Sequence, residues 1–200
     1  MDTNTIFEAI KNVIFANKDI PNTEIEMRLG KFNGEFFDTN VGQKNFDEIL
    51  VGLEKFQGWE NKKTETVEVF YYNEGAKRVT WDEDKGTKEC ISKQNIVKRD
   101  FKNFSQSPYD LRISISREIP ASINETEEAD RMIEKYRRSF IRKNLSIDMT
   151  IISGGITDMD DEDGKKFQIE LEIIEPSKLL DEPQLFNIIQ KVSDVLKILE

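Results

Sequence analysis

The chain has 200 residues, 37% of them apolar and 34% charged, with no histidine, one cysteine and a formal net charge of −10. That length suits one domain with a sizeable core, while the missing histidines exclude Ser-His-Asp and Cys-His nucleophile systems and argue against zinc. The acidic balance argues against duplex-DNA binding, so an enzyme of this composition works with carboxylates, Lys/Arg and a hard metal ion.

Residues 4–16 carry Ile6, Phe7, Ile10, Val13 and Ile14 at helical spacing, with Thr3 or Asn4 as a cap. A strand follows at 23–30. Residues 45–56 predict a second helix, capped by Asn45, with Phe46, Ile49, Leu50 and Leu53 as its stripe. Strands are expected at 64–72, 76–82, 87–93, 96–102 and 109–118. A short helix is expected at 125–133, then strands at 134–142, 145–152 and 166–175. Turn signals at Asn73–Gly75, Asp84–Gly86, Gly154-Gly155 and Asp163-Gly164 imply antiparallel pairing. A last helix runs over 183–199 from Pro183. The chain ends inside that apolar pattern, so a longer protein is expected to continue past Glu200.

Several motifs are absent. There is no G-x-x-x-x-G-K-[ST] and no G-x-G-x-x-G. Cys90 is followed six residues on by Ile96, not Arg, so it builds no cysteine-phosphatase loop. The acidic loop 158–164 fails the EF-hand spacing, with Asp163 and Ile169 where Gly and Glu belong, and reads as a hairpin tip. No apolar run would span a membrane and the N-terminus is not signal-like, which predicts an intracellular, cytoplasmic protein.

Strand side chains alternate between faces. Glu24, Glu26 and Arg28 share one face, opposite Ile25, Met27 and Leu29. Arg78 and Thr80 share another, as do Arg112, Ser114, Ser116 and Glu118. Lys135, Arg137 and Ser139 alternate likewise, then Asp148 and Thr150, then Gln168, Glu170 and Glu172. An ordinary sheet with its polar face in water accounts for each strand alone. The distribution is ordered, however: acids lie on the first and last strands and bases on the middle ones. Closed with the polar face inward, such a sheet is an inverted barrel with an acidic floor and basic walls. Two carboxylates about 4 Å apart repel by roughly 4 kcal/mol at an effective dielectric near 20. Facing carboxylates therefore protonate or hold a cation, and oxygen-only ligands select Mg²⁺ or Mn²⁺, with Ca²⁺ also compatible. The ring of cations suits a polyanion with several phosphate oxygens.

These stretches resemble the triphosphate tunnel metalloenzymes, and within them the metal-dependent RNA 5'-triphosphatases of fungi, protists and large DNA viruses. "EIEMRLG" and "IELEI" stand where that family has its two Glu-x-Glu strands. "RVTWDEDKG" with "ISKQNI", "YDLRISISRE", "EKYRRSF" and "SIDMT" follow the family's order between them. The resemblance spans residues 23–175. It implies an α+β fold, an eight-stranded antiparallel β-barrel with helices packed outside, in one domain over 1–200. The Asn/Lys/Ile-rich composition is similar to that of the N-terminal domain of a giant-virus mRNA-capping enzyme of the mimivirus kind.

By that resemblance, Glu24, Glu26 and Glu172 ligate Mg²⁺ or Mn²⁺, and Glu170 holds a metal-bound or attacking water. Arg78, Lys93, Arg112, Lys135 and Arg137 grip phosphate oxygens, Glu118 orients basic neighbours, and Asp148 and Thr150 support the wall. Gln168 departs from a third Glu in the fungal enzymes, and an amide cannot act as a base. Arg28 departs from the E-x-E-x-K of the thiamine triphosphatase and adenylyl cyclase branch. The implied substrates are 5'-triphosphate RNA ends and NTPs, with a guanylyltransferase domain downstream and a viral factory or virion as further locations. An inorganic or small-molecule triphosphatase and a non-catalytic polyanion-binding barrel remain the alternatives.

Overall fold

The computed structural model describes residues 2–104, 107–124, 126–154 and 164–200. In chain order the elements are α1 (Thr3–Asn17), β1 (Thr23–Asn33), β2 (Phe36–Asp38), α2 (Gln43–Lys55), β3 (Asn61–Tyr72), β4 (Lys77–Asp82), β5 (Thr87–Phe101), β6 (Asp110–Pro120), β7 (Arg131–Arg142), β8 (Leu145–Ser153), β9 (Lys165–Ile173) and α3 (Glu182–Leu196). Neighbours run in the order β1-β6-β5-β4-β3-β7-β8-β9, and β9 returns to pair with β1. All pairings are antiparallel, so these eight strands close into the expected barrel. The short β2 pairs only with β1, outside the ring.

The barrel is inverted, as the alternation predicts. Ile25, Met27 and Leu29 of β1 point outward with Leu111, Ile113 and Ile115 of β6, Ile147 and Met149 of β8, and Ile169 and Leu171 of β9. They meet Ile6, Ile10 and Ile14 of α1, Phe46 and Ile49 of α2, and Leu185, Ile189 and Val192 of α3. Each such side chain contributes roughly 1.5–3 kcal/mol on burial. The helices thus clamp one side of the barrel and leave its lumen to polar groups. No helix among the described residues is long and apolar enough to cross a membrane.

Several local expectations change. Asp2, not Thr3 or Asn4, caps α1 by accepting from the Thr5 N–H at 2.8 Å. The N-cap of α2 is Gly42, which makes no side-chain cap bond, and Asn45 lies inside the helix, where its amide donates to the Tyr109 hydroxyl. Asp181 caps α3 one residue before Glu182, so Pro183 is not the first helical residue. Residues 131–133 belong to β7 and not to a helix, because their register against β3 satisfies the backbone. The two strands expected at 87–93 and 96–102 are one, β5, with a bulge between Asn95 and Val97. The bulge shifts the pairing by one residue and imitates a break in the alternation. β2 was not foreseen at all; three residues are too few for a periodic signal. The tip of the acidic loop, at 158–163, lies outside the described residues.

Ile113→Ala removes a fully buried outward side chain and should lower stability by about 2–5 kcal/mol. Urea denaturation should show a lower midpoint with an unchanged slope.

Candidate active site

The closure of β1 on β9 sets the geometry. Glu26 is the register partner of Glu172, and Arg28 of Glu170. On the other flank of β1, Glu24 lies opposite Ser116 and Glu26 opposite Ser114. The carboxylates from the two ends of the chain therefore face one another across a single seam, on the lumen side.

Cations interleave with them. Lys93 of β5 forms an ion pair with Glu24 and lies 3.5 Å from Glu26 Oε1 and 3.6 Å from Glu118 Oε1. Arg28 sits 2.9 Å from Glu26 Oε2 and 2.7 Å from Glu170 Oε1. Arg78 donates to Glu118 Oε1 at 2.6 Å. Arg137 lies 3.8 Å from both Asp148 Oδ2 and Glu170 Oε2, and its Nε donates to Thr150 Oγ1 at 3.2 Å. Ser116 and Ser146 donate to Glu24 and Asp148 at 2.7 and 2.6 Å. Of these groups, Glu24, Glu26, Arg28, Arg78, Glu118, Arg137 and Glu170 line a cavity of about 330 Å³.

Two cationic groups beside the cavity present donors that no acceptor among the described residues meets. The Arg78 Nε is buried without a hydrogen bond. Lys135 has no ion pair, and burial, opposed by Glu170, pushes its ammonium down to about 8. Both belong to the cavity wall, where an anion would meet them.

A profile of the family described as "mRNA capping enzyme, beta chain", the mRNA triphosphatases, matches residues 58–198. The chain belongs to this family. It is an RNA 5'-triphosphatase. No curated protein matches it by sequence. Among solved structures it is similar to the Pct1 RNA triphosphatase of S. pombe, with TM-score 0.77 and 18% identity over 98% of this chain and 91% of that one. The same S. pombe enzyme in complex with the Spt5 CTD gives TM-score 0.73 at 19% identity, covering 98% and 91%. The RNA triphosphatase domain of a trifunctional mimivirus mRNA capping enzyme gives TM-score 0.67 at 16% identity, covering 98% and 97%. At these identities the likeness concerns the fold.

The structure brings Glu24, Glu26, Arg78, Lys93, Glu118, Lys135, Arg137, Glu170 and Glu172 of the triphosphatase into or against one cavity. Arg112 is the exception. On its face of the sheet it has Arg28 on one side and Asp100 on the other. Repulsion from the first and attraction to the second turn it toward Asp100, with bonds of 2.7 and 3.0 Å. It stacks on the Phe37 ring, 4.4 Å from the centroid, and does not line the cavity. Gln168 does not line the cavity either: its amide donates to Thr39 Oγ1 at 2.6 Å. Sequence reasoning missed Glu65, Asp82, Lys85 and Glu89, which also line the cavity. Glu65 was hidden because it shares its face on β3 with Val67 and Val69, which alternation alone assigns to the apolar outside; only its pairing with Arg137 brings it to the lumen.

Electrostatics separate the carboxylates. Burial raises Glu170, but Arg28, Arg137 and Lys135 overcome it and hold the group down at about 2. Glu24 is likewise lowered, with Lys93 outweighing burial. Burial pushes Glu172 up to about 8, and Glu24 and Asp148 add to the rise. Glu26 is also raised, by burial first, with Arg28 opposing and Glu170 adding to it. Among the described residues no three carboxylates close on one point at metal-ligating distance; Lys93 and Arg28 bridge them instead. The donor set nevertheless fits a hard divalent ion. It is all carboxylate oxygen, and Glu172 has like charges around it with no ion-pair partner among the described residues.

The sign of the resulting pH dependence follows from the proton counts. Between the ordinary carboxylate range and about 8, the folded chain keeps the Glu172 proton that the unfolded chain has lost. Stability of the metal-free protein therefore falls as pH rises through that window, by at most about 1.4 kcal/mol per pH unit for one proton. Glu24 and Glu170, being lowered, titrate below it. Thermal melts from pH 5 to 8 should show the decline, Glu172→Gln should flatten it, and Mn²⁺ should raise the melting temperature more at pH 8 than at pH 5.

Proposed function

We propose that the triphosphatase removes the γ-phosphate of triphosphate-ended RNA with the help of Mg²⁺ or Mn²⁺, and that it also hydrolyses free NTPs when Mn²⁺ is supplied. What carries this reading is the facing pair of Glu26 and Glu172 in a cavity whose Arg78 Nε and Lys135 have no acceptor among the described residues. One wall attracts a cation and the other an anion.

In this reading Glu24, Glu26 and Glu172 hold the ion, which when bound polarises a phosphoryl oxygen as a Lewis acid. The chain's own residues do the rest. Arg78, Lys135 and Arg137 bind phosphate oxygens and spread the charge that develops on them. Glu118 fixes Arg78, and Asp148 and Thr150 fix Arg137, so little reorganisation of these two groups is needed at the moment of transfer. Glu170 is a strong hydrogen-bond acceptor but a poor base, because two guanidinium groups hold it ionised. Its role is to orient the attacking water and not to take its proton. A loose transition state demands little base catalysis, which removes the difficulty posed by Gln168. The product is a diphosphate end, the substrate of a guanylyltransferase, and fusion to such a domain belongs to the same proposal.

The test is phosphate release from triphosphate-ended RNA, ATP and tripolyphosphate, with Mg²⁺ or Mn²⁺. Glu26→Ala and Glu172→Ala should each lose at least 100-fold in rate while the metal-free proteins melt no lower than the parent. Faster turnover of tripolyphosphate than of RNA ends would favour the small-molecule alternative. Phosphate binding with no release at all would leave the polyanion-binding barrel.

A further inference from the structure

One end of the barrel is filled. Beyond Arg28 the lumen face of β1 continues to Gly30 and then Phe32. A side chain at Gly30 would meet the Phe37 ring at 2.7 Å and the Asp38 carbonyl at 2.4 Å. The ring therefore occupies the place a lumen side chain would take. Phe37 is 5% exposed, packs on Phe32 with centroids 5.1 Å apart, and is covered by the Arg112 guanidinium. The backbone after it straps across to the far side of the seam. Thr39 accepts from Gln168, Asn40 Oδ1 accepts from the Phe167 N–H at 3.1 Å, and the Val41 N–H donates to the Phe167 carbonyl at 2.9 Å. The Tyr109 hydroxyl fixes the strap from outside, donating to the Val41 carbonyl at 2.6 Å.

The opposite wall at that end is apolar. Val69, Ile133 and Ile152 are buried together, with Val67 and Tyr71 against them. They stand on the lumen face of β3, β7 and β8, in register next to Lys135. The polar interior expected throughout the barrel stops here. Neither Gly30, Phe37, Arg112 nor Gln168 lines the cavity.

The other end is open. Ile91 pairs with Pro120, the last residue of β6, and the Cys90 carbonyl accepts from the Ala121 N–H at 2.9 Å, so Thr87–Glu89 extend past that edge with β4 alone. This β4–β5 hairpin brings Asp82, Lys85, Thr87 and Glu89 to the cavity, with Glu65 opposite. The Lys85 side chain is 61% exposed there and reaches both Asp82 and Glu65.

We propose that the lumen is a blind channel, stoppered by the Phe37 strap and the Val69–Ile133–Ile152 cluster, and that substrate enters and both products leave through the Lys85 mouth. The proposal rests on the triphosphatase reading above and specifies how that site is used. A triphosphate end threads γ-phosphate first. Water's oxygen bonds to the γ-phosphorus, the bridging oxygen leaves on the diphosphate, and the water proton goes to solvent or to the released phosphate. The inorganic phosphate then lies at the bottom, behind the product that entered last. Release is ordered, with the diphosphate first and the phosphate second.

Product inhibition reads this order directly. With ATP and Mn²⁺, inorganic phosphate should be competitive with substrate, since it binds the free enzyme, and ADP should be mixed. ADP that is purely competitive, or phosphate that is not competitive, overturns the proposal. Complete absence of γ-phosphate release would instead refute the functional reading. The route is tested separately with charge reversals at the two ends. Lys85→Glu should raise KM for ATP at least fivefold over Lys102→Glu, whose ammonium lies over the Phe32 ring at the stoppered end. Any smaller difference, or the reverse, places entry elsewhere and overturns it, provided that both variants melt cooperatively.

Discussion

The structure depends on keeping five lumen-facing acids apart within one closed sheet. Glu24, Glu26, Glu118, Glu170 and Glu172 come from three strands, and none would stay charged in such confinement without nearby cations. Arg28, Lys93 and Arg137 are each shared between two or more acids, and Arg78 pairs with Glu118. Sharing leaves the balance uneven. Glu170 is over-compensated and firmly ionised, while Glu172 is under-compensated and clings to its proton. The unevenness is what divides the labour: one acid suits an oriented water, another an incoming cation.

The outer surface of the barrel makes this arrangement affordable. Because Ile25, Met27, Ile113, Ile147 and Leu171 point away from the lumen, α1, α2 and α3 supply the hydrophobic stabilisation that a filled barrel would draw from its interior. The lumen can then be spent on function. At the stoppered end, Val69, Ile133 and Ile152 reverse that rule locally, and the polar channel ends where they begin.

Much of this was legible in the residues. Period-two alternation holds around the acids of β1, β6, β8 and β9, so the face of each acid follows from its position, and the order of acids and bases is that of a known family. What escaped is non-local. Arg112 has the right parity, but its direction is decided by Arg28 and Asp100, which pairing alone brings beside it. Gln168 looked like a damaged catalytic position, whereas its amide anchors the strap through Thr39. β2 is three residues long and gains its meaning from the ring it inserts. The β5 bulge split one strand into two on paper. Cap positions moved by one to three residues because Asp2, Gly42 and Asp181 answer to chain entry and not to the apolar stripe.

The seam between β1 and β9 joins residues separated by almost the whole length of the domain. A ribosome releasing this chain would expose α1 and β1 long before their last partner emerges. Such late, long-range closure raises contact order and slows folding. Glu24, Glu26 and Arg28 on the waiting edge keep it soluble and disfavour pairing with other nascent chains. The same charges that serve chemistry in the finished barrel thus act as chaperoning groups while it is being made.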